Sequence, residues 1–308
     1  MRSGRRAAAD PPEESVRPSA ANLEEIRQRL RDVGVRPVSE LRSPHFQAIG
    51  NATERFIRLV LIESERLAAN LLGHLRGRGF RLRMPASRLI LVVFQDDRSF
   101  GKYFKLPTLL EAAETGQPIP PAGIYNRDDN TLNLFDWRNV PVAPRSASLN
   151  QQTLAHEATH LLSFNTGLLD RASDVPLAVV EGFGTYGETH GDSGSKGLGR
   201  VNLRRLVDLA KIQRRRPWIP LGELIAEDAG FRMGTADDVL LAYAQSWLLV
   251  HYLIQSEAAL PGFQDYLEDL MQGKAHGDRR TAAAARLGDL DQLDRELRRF
   301  SIRLLRSS

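Results

Sequence analysis

The sequence predicts an α+β fold: a front portion that mixes helix and sheet, and a rear portion that is nearly all helix. Three observations lead there. RLILVVFQDD (88–97) is a short apolar run ending in acids, the pattern of a buried strand. PPAGIYNRDDNTLNLFDW (120–137) reads as an antiparallel hairpin, with GIY and LNLF as strands and Arg127-Asp128-Asp129-Asn130 as the polar turn. Beyond 145, helical periodicity dominates, at about 149–164, 176–189, 201–213, 220–227, 237–256, 258–272 and 290–305. No repeat of fixed period interrupts this order. With 308 residues, 42% of them hydrophobic, the chain can bury a large core in one domain or two lobes. The expected division is a tail over 1–20, an α+β lobe over 21–165 and a helical lobe over 166–308.

The elements follow in order. Residues 1–20 are rich in Pro, Arg and Glu and lack periodicity, so they read as a disordered tail. ANLEEIRQRLRDV (21–33) is a short amphipathic helix with Leu23, Ile26 and Leu30 on one face. SPHFQAIG (43–50) alternates, with Phe46 and Ala48 opposite His45 and Gln47, and suits a strand. Residues 51–75 carry a long helical pattern with a start near Asn51. The strand at 88–97 and the hairpin then complete the front portion. A cleft between front and rear is the natural place for a site.

Composition narrows the chemistry. The formal charge of +4 is a mild basic tilt, best read as solvated basic faces, and no aromatic-interleaved basic patch or nucleic-acid motif accompanies it. There are no cysteines, which excludes disulfides and Cys-ligated zinc; any metal site must use His, Asp or Glu. No run approaches the ~20 apolar residues of a membrane span. The start, MRSGRRAAADPPEESVRPSA, has an arginine pair without an apolar run behind it and is not a complete secretory signal. Export after removal of a leader is left open, as is the redox compartment.

The densest chemistry lies in TLAHEATHLLSFNTG (153–167). Helical positions four apart share a face, so His156 and His160 can turn two imidazoles toward one ion. Glu157 sits about 100° round the axis. It can reach a water on that ion without ligating it, the H-E-x-x-H logic of zinc peptidases. Leu154, Ala155, Ala158, Leu161 and Leu162 supply apolar cover; Ser146 or Ser148 suits the start and Gly167 the end. The alternative is an ordinary helix with two surface histidines. A catalytic zinc needs a third protein ligand. A glycine at 163 and a histidine at 166 would make a metzincin; Ser163 and Thr166 stand there instead. DVPLAVVEGFGTYGETHG (174–191) offers Glu181 among Val179, Val180 and Phe183, where an unpaired charge is costly. Pro176 suits the first turn of that helix, with Asp174 as a cap. Its glycines at 182, 184 and 187 weaken a helix but let two helices approach closely.

H-E-A-T-H-x-L-x-F-N-T-G, then E-G-x-G-x-Y-x-E, then Y-A-Q-S-W-x-L-V-H-Y-L at 243–253 resemble the peptidase MA-like gluzincin families. Among them, the chain is most similar to an uncharacterised domain family that pairs H-E-A-T-H with E-G-x-A-x-Y-x-E. The likeness is specific over about 150–190 and 243–253, looser over 43–137, and absent before about 40. It implies a thermolysin-like fold and one catalytic Zn²⁺ held by His156, His160 and Glu181, with Glu157 as general base. Two departures stand out. Ala178 replaces the family's usual tryptophan, and Gly184 its usual alanine.

The expected activity is therefore hydrolysis of peptide bonds in a peptide or protein substrate. The oxyanion needs a donor besides the metal; Tyr243 and Tyr186 are the candidates. Glu188, two turns after Glu181, is placed to orient a ligand histidine. His251 reads as core, and His45, His74, His190 and His276 carry no role. An edge strand in the hairpin would bind an extended peptide, and replacing Tyr125 or Asn133 is then expected to raise KM. The competing expectation is a catalytically inactive zinc-binding scaffold or peptide-binding module of the same fold. GDSGS (191–195) resembles the loop of trypsin-like serine proteases, but the helical context there speaks against that all-β fold. Asp96-Asp97 and Asp128-Asp129 suit a strand end and a turn, and Arg214–Arg216 and Arg279-Arg280 read as solvated helix-end charges.

Overall fold

The computed structural model describes residues 20–141, 147–190, 197–274 and 278–307. Residues 1–19 of the expected disordered tail, Ser146, the GDSGS segment and His276 lie outside the described residues. One five-stranded sheet organises the front portion. Its strands are β1 (Ser39–Arg42), β2 (Phe46–Gly50), β3 (Leu89–Phe94), β4 (Gly123–Asn126) and β5 (Thr131–Phe135), in the order β1-β2-β3-β5-β4. β2, β3 and β5 run parallel, and β1 and β4 close the two edges antiparallel.

The apolar run of β3 is explained by burial on both faces. Leu89, Leu91 and Val93 join one core and Ile90, Val92 and Phe94 the other. The second core is closed by α1 (Ala20–Asp32), through Ile26 and Leu30, and by Phe100 and Tyr103. On the first face lies α2 (Glu54–Gly77), whose N-cap is Thr53, two residues past the expected start at Asn51. Neither α3 (Asp97–Phe104) nor α4 (Leu109–Thr115) was expected from periodicity. The acids there are structural: Asp96 caps α3, and Asp97 accepts the N–H of Leu109.

The rear helices are α5 (Ala147–Ser163), α6 (Leu177–Gly187), α7 (Leu203–Ile212), α8 (Leu221–Ala226), α9 (Ala229–Arg232), α10 (Ala236–Gln255), α11 (Leu260–Met271), α12 (Arg279–Leu287) and α13 (Leu290–Ser307). The short α9 and α12 were not anticipated. One hydrophobic core runs from Phe46 in β2 to Leu297 in α13, so front and rear portions share it. No described helix is long and apolar enough to cross a membrane.

Two close approaches place α6. A Cβ at Gly187 would stand 1.9 Å from Thr159 Oγ1 of α5, and one at Gly182 would stand 2.4 Å from Val250 Cγ2 of α10. Real Cβ atoms do not tolerate such separations, so α6 is wedged between α5 and α10 only because these positions are glycine.

Candidate metal centre

His156 and His160 point from one face of α5 into a cleft of about 400 Å³ between β4 and α5 on one side and α6 and α10 on the other. Glu181 enters the same cleft from α6. His156 Nε2 lies 3.0 Å from His160 Nε2 and 3.1 Å from Glu181 Oε2, and His160 Nε2 lies 3.4 Å from that oxygen. These three side chains form a group able to hold a metal ion. A Cβ at Gly184 would stand 2.6 Å from His160 Cε1 and 2.8 Å from His156 Cε1. The bare glycine is what lets α6 bring Glu181 against both imidazoles, and alanine there requires both rings to move.

The His156 arm of the group has outer support, whereas His160 Nδ1 is buried without a hydrogen-bond partner among the described residues. His156 Nδ1 is 3.0 Å from Glu188 Oε1, at the end of α6, as the spacing suggested. Glu188 is buried and accepts from Arg205 Nε at 3.0 Å and Asn202 Nδ2 at 2.9 Å. Asn202 also caps α7 through Arg205 N, so one residue sets the helix start and the carboxylate together. Arg205 and Asn202 escaped the sequence reading. Their only signal is indirect: a buried acid demands a cation, but nothing in the sequence says which arginine supplies it.

The electrostatics follow. Burial raises the Glu188 carboxyl, but His156 and Arg205 outweigh it and hold it well below the usual carboxylate range. Burial likewise raises Glu181, and the two imidazoles override it downward. Burial lowers His156, yet hydrogen bonds to Glu181 and Glu188 and the charge of Glu157 push it up to about 10 in the metal-free chain.

Glu157 faces the same cleft. Its Oε2 accepts the backbone N–H of Tyr125 at 2.7 Å, which ties α5 to β4, the edge strand of the sheet. Gly123 permits that approach, since a Cβ there would meet Thr153 Cγ2 at 2.7 Å. Tyr243 of α10 also lines the cleft, its ring 6.0 Å from that of His156 and its face under the Arg205 guanidinium at 5.4 Å. Burial first, then the charges of Glu181 and Glu157, push its phenol far above the ordinary value.

Several other expectations are corrected, while His251, His45 and His190 lie as expected. Tyr186 turns away from the cleft: its hydroxyl meets His74 Nε2 at 2.7 Å and Gln255 Nε2 at 3.2 Å. Asn133 is fully buried in β5, where its amide donates to Ile124 O and Thr131 O and braces the hairpin rather than facing a ligand. Ser148 falls inside α5 and does not precede it. Asp174 does not cap α6; the N–H of Leu177 is accepted by Asp228 instead. Arg279 is no solvated charge, with a side chain only 17% exposed between Asp174 and Asp228. His251 is core, stacked on Trp247 and Phe300. His45 pairs with Glu65 at the surface, and His190 is buried apart from the cleft lining.

A family model described as "Protein of unknown function (DUF1570)" matches residues 150–272. That segment holds His156, Glu157, His160, Glu181, Glu188, Arg205 and Tyr243, while β4 and Arg279 fall outside it. No curated protein matches the chain.

Proposed function

We propose that the chain is a zinc-dependent metallopeptidase of gluzincin type, with His156, His160 and Glu181 as metal ligands and Glu157 as general base. The observation that carries this reading is the convergence of two imidazole nitrogens and one carboxylate oxygen beside a further carboxylate in one cleft. The donor set fits the ion. Two nitrogens and one oxygen suit zinc better than the all-oxygen shells of calcium or magnesium. Zinc–ligand bonds of about 2.0–2.1 Å at tetrahedral angles put ligand atoms about 3.3 Å apart, beside observed separations of 3.0, 3.1 and 3.4 Å. Three protein ligands leave the fourth corner for water or substrate.

Zinc bound there supplies Lewis-acid chemistry, lowering the pKa of a water and polarising a carbonyl. The chain's own groups do the rest. Glu188 accepts the Nδ1 proton of His156 and so aims Nε2 at the ion. Glu157, steadied by Tyr125 N, takes the proton of the attacking water and passes it to the leaving amine. Tyr243 keeps its proton, since its surroundings disfavour the phenolate, and donates it as a hydrogen bond to the oxyanion. The outer edge of β4 lines the cleft and offers backbone groups to an extended peptide.

One observation favours a second reading, an inactive zinc-binding scaffold. One oxygen of the Glu157 carboxylate is already engaged by the backbone N–H of Tyr125 at 2.7 Å and is not free to take a proton from water in that arrangement. One comparison separates the two readings. Purified chain and its Glu157→Gln variant should both hold about one zinc, and only the former should cleave a mixed peptide library. Equal cleavage by both defeats the enzyme reading, and zinc binding without cleavage by either favours the scaffold.

A further inference from the structure

The helix that carries Glu181 begins without a cap of its own. Pro176 precedes α6 and has no side chain able to accept a hydrogen bond from the first turn. The free N–H of Leu177 is taken by Asp228 Oδ1, 51 residues along the chain, at 3.1 Å. Besides a 3.8 Å ion pair with Arg232, four residues on, Asp228 is held from a distant helix. Arg279 Nη1 donates to the same Oδ1 at 2.9 Å, and Arg279 Nε donates to Asp174 Oδ2 at 2.9 Å. A second contact joins Arg279 Nη2 to Asp174 Oδ1. One half-buried guanidinium at the start of α12 thus grips the loop just before α6 and the carboxylate that caps α6.

We infer that Asp228 and Arg279 act as a clamp that positions Glu181 for the metal. Glu181 lies four residues after Leu177, one helical turn, so the position of the first turn is passed directly to the ligand. The Asp228 carboxylate also stands where a negative charge favours the helix dipole. No other described side chain caps this end. The glycines at 182, 184 and 187 leave α6 intrinsically weak, so the helix depends on its surroundings for its geometry. The clamp rests on the proposed metal site, and it extends that site to Arg279, beyond the matched segment 150–272. Both line the cleft wall outside the three-ligand group and act on the metal only through α6, as positioning residues.

The test is zinc affinity, measured by competition with a chromophoric chelator at fixed pH and independent of catalysis. Asp228→Ala and Arg279→Ala are expected to weaken zinc binding about tenfold, in the range seen when outer partners of metal ligands are removed. Asp228→Asn keeps an acceptor for Leu177 N and should recover part of that loss, and it serves where the alanine variant fails to fold. Arg279→Lys plays the same part for the cation. Arg286→Ala, which breaks the Arg286–Asp269 pair elsewhere on α12, controls for general destabilisation and should bind zinc as the unaltered chain does. Zinc binding by the unaltered chain with undiminished affinity in the Asp228 and Arg279 variants overturns the clamp and leaves the metal site standing. An equal loss in Arg286→Ala also overturns it. Absence of zinc binding by the unaltered chain removes the site and the clamp together.

Discussion

Glu188 Oε1 lies 3.0 Å from His156 Nδ1, and the same carboxylate is gripped by the guanidinium of Arg205. An imidazole that faces the cleft with one nitrogen is thereby held from behind by a buried ion pair. Removing one member of such a pair leaves the other charge stranded, at a cost of about 3–5 kcal/mol. Arg205→Met should therefore destabilise the chain by that order, and adding Glu188→Gln should recover much of it. Urea unfolding of the two single variants and the double variant measures this; additive losses would mean that the pair is not coupled.

The crossing of α5 and α6 yields a second expectation. Gly187→Ala forces a methyl against Thr159 and the Ala155 carbonyl, both buried in the crossing. Overpacking of this kind costs about 1–3 kcal/mol. The helices that carry the histidines and Glu181 move apart together, so zinc affinity should fall along with thermal stability. A variant of unchanged stability and unchanged zinc affinity would show that the crossing has slack.

Tyr243→Phe removes a hydroxyl and little else. If that hydroxyl serves the oxyanion, kcat should drop about 100-fold, with KM and zinc content close to unchanged. A KM effect at constant kcat would instead make Tyr243 a binding residue.

Acid should weaken the fold through His251. Burial, with the charges of Arg78 and His74, lowers its pKa from 6.5 to about 4. The unfolded chain then takes up a proton that the folded chain refuses. Stability is full above about 6.5 and is lost as pH falls from there toward 4. Between pH 7 and 5 the contribution is about 2 kcal/mol. His251→Phe keeps an aromatic between Trp247 and Phe300 and should remove that part of the pH dependence, as read by urea unfolding at the two pH values. An identical acid loss in the variant would place the effect on other groups, such as His74 and His190, which burial also lowers.

What the sequence revealed and what it hid divide along physical lines. Periodicity exposes residues whose role depends on their own helix: His156, Glu157 and His160 share α5, and Glu181 lies in α6 with Glu188 at its C-cap. Alternation and apolar runs exposed β2, β3 and the hairpin. SELR of β1 is short and polar but for Leu41, and it pairs as an edge, so it left no such trace. Contacts between distant segments were not legible. Arg205 on Glu188, Asp228 on Leu177 N and Arg279 on Asp174 all join residues that no local pattern relates. Tyr243 is the preferred candidate and Tyr186 the lesser one, but spacing does not say which way a ring turns. One hydroxyl is committed to His74 and Gln255, while the other side chain lines the cleft.

The central claim is that Glu181, carried on a separate helix, completes a metal site begun by His156 and His160. Metal content of the purified chain and of Glu181→Gln, by inductively coupled plasma mass spectrometry after loading with zinc and exhaustive desalting, tests it most directly. About one zinc per unaltered chain is expected, and a small fraction of that in the variant. Equal zinc in both, or none in the unaltered chain, would contradict it.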